Sequence, residues 1–187
     1  MRASQPALLA AGRVIADMRD VMVTQWADWV GDRITAASTI PRATVEREFR
    51  LILDTMAGMV GPLRREATAI WTRVSEHYGR VAAARGLAAG EVVEELQYLR
   101  ELLIRNLAHA FISMRPRQAL AIVLRLNRVL DRGIAVAVVG YTDALVATLF
   151  AQNGVPASSS EYDSTEVERQ LHALELELGS LIKTRKR

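Results

Sequence analysis

Apolar positions recur every three or four residues through almost the whole chain, the spacing of one face of an α-helix. Read with the proline and glycine punctuation, the pattern predicts helices over 5–36, 42–60, 62–85, 88–114, 116–151 and 165–183. Pro41, Pro62 and Pro116 stand where helices would open, a place that tolerates proline because its missing N–H would have no partner there. No stretch alternates apolar and polar residues between turn signals, so the expected class is all-α.

In 88–114 the residues Val92, Leu96, Leu99, Leu103, Leu107, Ala110 and Met114 form one stripe. Glu91, Glu94, Glu95, Arg100, Glu101 and Arg105 fall off it, on what reads as a solvated face. In 116–151 a seam through Leu120, Val123, Asn127, Leu130, Ile134, Val138, Tyr141, Leu145 and Thr148 runs for about eight turns, and 135–139 is apolar all round. Gly140 and Asp143 interrupt this apolar run, which falls short of the roughly 20 residues of a membrane span. A buried core helix is expected instead, lending Leu130, Ile134, Val138, Tyr141 and Leu145 to a homodimer interface.

The composition of 152–164, QNGVPASSSEYDS, is that of a linker. After it, Thr165 and Glu168 suggest a capping box, and Val167, Leu171, Leu174, Leu178 and Leu181 step by 4-3-4-3 as in a coiled-coil seam. So short a seam needs a partner, whether its twin, another protein or the body of the chain. The expected layout is therefore a helical sensory and dimerisation domain over 1–151, a linker over 152–164, and a partner-binding amphipathic helix with a basic tail over 165–187.

Half of the 187 residues are hydrophobic, enough for a substantial core. The absence of cysteine excludes disulfides and thiolate sites and suits a reducing cytoplasm, and the N-terminal segment, with Arg13, Asp17 and Arg19 close together, reads as an amphipathic helix with no export expected. A pI of 9.7 invites a nucleic-acid reading, but the charge is not gathered into one patch. Residues 1–160 carry 19 Arg against 15 acids, 161–182 carry one Arg against six acids, and the tail KTRKR adds four positive charges. Neither nucleic acid nor a membrane span is expected as a partner.

Candidate chemistry is scarce. Phosphate-binding glycine loops, HExxH and GxSxG are all missing, so a non-enzymatic role is expected, with no catalytic residue and no metal. His77 is the one candidate for a haem ligand, weakened by its polar neighbours Glu76 and Arg80. His109 lacks the lysine that a phosphotransfer site would place nearby, and His172, with Glu168 and Glu175, reads as a set of surface contacts. Trp26, Trp29 and Trp71 read as core anchors.

The run HYGRVAAARGLAAGEVVEELQYLRELL (77–103), together with VLDRGIAVAVVGYTDAL (129–145), resembles the RsbR/RsbRD-type N-terminal sensory domain of bacterial stress-response and histidine-kinase sensors. The resemblance covers most of residues 10–150. It implies a globin-like fold without obligatory haem, dimerisation through the last helices, and a signal passed through a C-terminal helix to an output domain. The alternative it leaves open is a globin-like sensor holding haem or a fatty acyl chain. After the linker this chain carries only the short helix and the tail, so it is expected to be either a stand-alone relative or the sensor portion of a longer protein.

Overall fold

A computed structural model describes residues 4–32, 40–61, 63–152 and 164–185, and among these there are seven helices and no strand. They are α1 (Gln5–Asp17), α2 (Arg19–Gly31), α3 (Arg42–Val60), α4 (Arg64–Ala84), α5 (Ala89–Ile112), α6 (Pro116–Gln152) and α7 (Ser164–Arg185). The class is all-α, as the periodicity predicts. The helix expected over 5–36 differs: its last described helical residue is Gly31, and 33–36 lie outside the described residues. The segment expected as a single helix from residue 5 breaks at Met18, whose φ of −91° and ψ of 3° lie in the bridge region, and the turn seats Ala11 and Ile15 on one side and Met22 and Trp26 on the other in a common core.

The other helix ends follow local chemistry. α4 closes in a Schellman motif: Gly86 takes a φ of +78°, its N–H bonds the Ala83 carbonyl, and the Leu87 N–H reaches back to Ala82. α5 opens with the Glu91 carboxylate accepting the Ala88 N–H at 2.6 Å, half of a capping box. The C-terminus of α3 is capped from a distance by the Arg125 guanidinium, which donates to the Met59 and Gly61 carbonyls at 3.0 Å.

The centre of the fold is α4 lying parallel to α6. Trp71 donates its indole N–H to the Val129 carbonyl, Gly133 faces Trp71, Gly140 faces Glu76, and Gly79 faces Ala137 and Tyr141. At Gly79 and Gly140 no side chain separates the two backbones: a Cβ at Gly79 would lie 1.8 Å from the Ala137 oxygen, and one at Gly140 would lie 2.2 Å from that of Glu76. Glycine is required at both, because the facing atoms belong to backbone and cannot rotate away. α3 runs back along α4, α5 covers α6, and α1 and α2 close the open side, with Trp26 stacked on Phe49 at 3.7 Å and Trp29 on Tyr98 at 4.4 Å.

α7 folds back onto this body. Val167, Leu171, Leu174 and Leu178 are buried in the same core as α3 and α4, and Leu181 packs at its edge. The seam expected to bind a partner is thus covered within the chain, and its leucines join one core instead of forming a second. Burial of each is worth about 1.5–3 kcal/mol, a gain that a short isolated helix lacks. Thr165 lies inside the first turn of α7, and Glu168 accepts a hydrogen bond from Thr44 of α3 instead of closing a capping box.

Expectation and structure also part along α6. In its most apolar stretch, with a mean hydropathy of 1.9, only 17% of residues are buried. Past Tyr141 the helix outruns α4, which ends at Ala84, and among the described residues Leu145, Val146 and Phe150 are left exposed. By length and composition α6 could cross a membrane, yet residues up to Tyr141 are held against α4. The remaining run to Gln152 is about 16 Å long, roughly half a hydrocarbon core.

Candidate functional site

Most of the body is apolar inside, and a group of charged side chains stands out against that background. α3 contributes Glu48, α4 contributes His77 and Tyr78, the corner after α4 contributes Arg85, and α5 contributes Glu95; all are buried. His77 holds Nδ1 2.8 Å from Glu48 Oε1 and Nε2 3.3 Å from the Val167 carbonyl oxygen of α7. Beside this chain, Arg85 grips Glu95 through two nitrogens at 3.0 and 2.5 Å, and the Tyr78 hydroxyl donates to the same carboxylate. Among the described residues, Glu48 Oε2, Arg85 Nε and Trp26 Nε1 are buried without a hydrogen-bond partner. Fixed charge at this depth is retained only when paired, since removing one member strands the other in a medium that solvates it poorly.

The electrostatics follow from that burial. The Tyr78 phenol is held well above the usual tyrosine range, first by desolvation and then by the neighbouring Glu95 charge. Arg85 is pushed down by desolvation but further up by Glu95, and stays a cation. Tyr78 gives the first prediction. The unfolded chain releases this proton near pH ~10 while the folded chain keeps it, so stability is complete below that pH and falls above it by up to about 1.4 kcal/mol per unit. Urea titrations across the alkaline range should show the fall, and Tyr78→Phe should flatten it; an equal slope in the two proteins would refute the assignment.

Around His77, polar contacts clamp α7 to α3 and α4. Arg47 bonds Glu175 through Nε at 3.2 Å and Nη2 at 2.8 Å, Arg73 pairs with Glu177, and Thr44 donates to Glu168 at 3.1 Å. Glu166 is drawn down to about 2 by its bonds from Arg169 and then Gln170. The acidic face of α7 therefore lies along arginines of the body, and its apolar face fills the groove beneath.

The structure redistributes the residues singled out from sequence. His77 sits among buried groups, not in the polar setting its sequence neighbours suggest, and both ring nitrogens face oxygens of the chain. Glu95, expected on a solvated face, is buried with Arg85. Of the expected dimer seam, Leu130 and Tyr141 lie inside the body, where the Tyr141 hydroxyl donates to the Leu87 carbonyl; Ile134 and Val138 are half-buried and Leu145 is exposed. His172 is exposed, 3.8 Å from Glu175. His109 lies on the rim of a groove of about 720 Å³ between α1, α2 and α5, floored by Val14, Met18 and Leu102. Among the described residues no group of three or more His, Asp or Glu is placed to hold a metal ion.

Glu48 and Arg85 were not singled out from sequence. A signal existed for Glu48, three residues after Val45 and four before Ile52, on the apolar face of its own helix. Glu95 stands in the same relation to Val92 and Leu99.

A second surface is the outer face of α6. Val139, Val146 and Phe150 are 56%, 41% and 53% exposed and recur at helical spacing, and Leu124 and Leu120 extend the stripe toward the N-terminus of the helix. Arg132 and Asp143 flank its centre on the same exposed side, about three turns apart. No family model, no curated protein and no solved structure matches this chain.

Proposed function

We propose that the protein is a non-enzymatic sensory or regulatory module that works as a homodimer through α6 and signals by protein–protein contact. The exposed apolar stripe of α6 carries this reading. Large side chains exposed at helical spacing, on a helix whose opposite face is packed as far as Tyr141, are a contact surface in waiting. A second copy of the chain is the occupant that fits. If two α6 helices cross antiparallel about a two-fold axis near Val138, each Arg132 meets the Asp143 of the other copy and the valines between them meet each other, the self-complementarity that a two-fold interface demands. A membrane fits less well, because Asp143 lies within the stripe and the uncovered run is too short to span. The resemblance to RsbR-type sensory domains, which implies dimerisation through the last helices and a globin-like arrangement, supports the same reading.

Val139→Glu with Phe150→Glu tests it. Both side chains are exposed, so the double variant should keep the helical circular dichroism of the wild type and lose the dimer by native mass spectrometry. A wild-type chain that is monomeric at micromolar concentration would overturn the proposal, as would a double variant that dimerises as before.

A further inference from the structure

We propose that the buried Glu48–His77 pair is a proton-operated latch for α7, holding the helix on the body while the pair carries its extra proton and letting it go when that proton leaves. The two ring nitrogens of His77 face two oxygens, Glu48 Oε1 at 2.8 Å and the Val167 carbonyl at 3.3 Å. With one proton beyond those of a neutral ring and a carboxylate, both contacts are hydrogen bonds and the pair is neutral, whether written as imidazolium with carboxylate or as imidazole with carboxylic acid. Without it the ring has a single N–H. The carboxylate is the stronger acceptor and keeps that N–H, so the nitrogen facing Val167 turns a lone pair toward an oxygen. The contact that fails is the one to α7, and a net negative charge is left where both side chains are almost unexposed.

Among the described residues the cations near that charge are already paired, and Arg85, the one that feels Glu48, is engaged first by Glu95. On α3, Arg47 is engaged with Glu175, and Thr44 with Glu168. On α4, Arg73 and Arg80 pair with Glu177 and Glu76. Arg85 is committed to Glu95 of α5, with Tyr78 on the same carboxylate. α6 turns Ala137, Gly140 and Tyr141 toward α4, and α2 contributes Trp26 to the core there, none of them charged. α7 itself brings the acids Glu166, Glu168 and Glu175, with Arg169 bonded to Glu166, and among the described residues no hydrogen-bond donor reaches Glu48 Oε2. Release would uncover Val167, Leu171, Leu174 and Leu178, turning a core seam into a surface for a partner helix. This inference stands apart from the α6 dimer, which uses none of these residues.

The chain has no cysteine, so introduced pairs can carry spin labels at chosen places. Leu176→Cys on α7 and Ala69→Cys on α4 are both exposed, and Glu101→Cys with Ala69→Cys gives a control pair within the body. Electron–electron distance measurements are to be made between about pH 5 and pH 9. The α7 pair should pass from one short distance to a broad long one as pH rises, with the docking constant falling up to tenfold per pH unit, as loss of one linked proton requires. The control pair should not change. Glu48→Gln should stay docked throughout, because its amide donates to Nδ1 and the neutral ring then donates Nε2–H to Val167. If that variant fails to fold by circular dichroism, His77→Gln, which has no titrating ring, takes its place. A wild-type α7 distance that ignores pH overturns the proposal, and so does a control pair that lengthens in parallel or a substituted latch that releases as the wild type does.

Discussion

Gly79→Ala should strongly destabilise the protein. The added methyl carbon would lie 1.8 Å from the Ala137 oxygen, 2.7 Å from its carbonyl carbon and 2.8 Å from the Tyr141 nitrogen. All three are backbone atoms of α6, so no side-chain rotation relieves the clash and the central pair of helices must separate. Ordinary overpacking costs about 1–3 kcal/mol, where a side chain can still shift; here about 4 kcal/mol or more is expected. A domain of this size is stable by only about 5–15 kcal/mol, so a large share of that margin would be lost. The contrast lies within the same protein: Gly90 and Gly179 have nothing within 4 Å of an added Cβ, and alanine at either should raise stability by about 0.5–1 kcal/mol. Urea midpoints decide the matter. Gly79→Ala within about 1 kcal/mol of wild type would show that α4 and α6 do not meet in this way.

The second large effect belongs to Arg85. Its side chain has no exposed surface and its partner Glu95 is 5% exposed, so Arg85→Met should strand a carboxylate in the core and cost about 3–5 kcal/mol. Adding Glu95→Gln should recover most of this loss, since the amide oxygen still accepts from Tyr78 and no net charge remains. A double variant as unstable as the single one would mean that Arg85 acts through packing of its stem and not through its charge. Far-UV circular dichroism during chemical denaturation reads both variants.

The sequence was enough for the helices and for most of their ends, because those depend on interactions a few residues apart: the 3.6-residue stripes, Pro116 in a first turn, and Gly86 in the left-handed conformation that closes α4. It was enough, too, for the two heptads of α7, with their unmet need of a partner. What α7 packs against, and which face of α6 stays uncovered, depended on contacts between segments far apart in the chain. Periodicity is unchanged by rotation of a helix about its axis, so the seam through Leu130 and Tyr141 could equally have faced a second subunit or the interior; Gly133, Gly140 and Gly79 settle it by allowing an approach that larger residues forbid. The buried polar group was hidden for a related reason. Each acid looks like a surface residue beside its sequence neighbours, and the cost of burying Glu48 or Glu95 becomes bearable only when His77 or Arg85 arrives from another element at hydrogen-bonding distance. Local spacing therefore determined where helices form, and only tertiary packing decided which charges meet, because charge pairing acts through space and leaves no period in the chain.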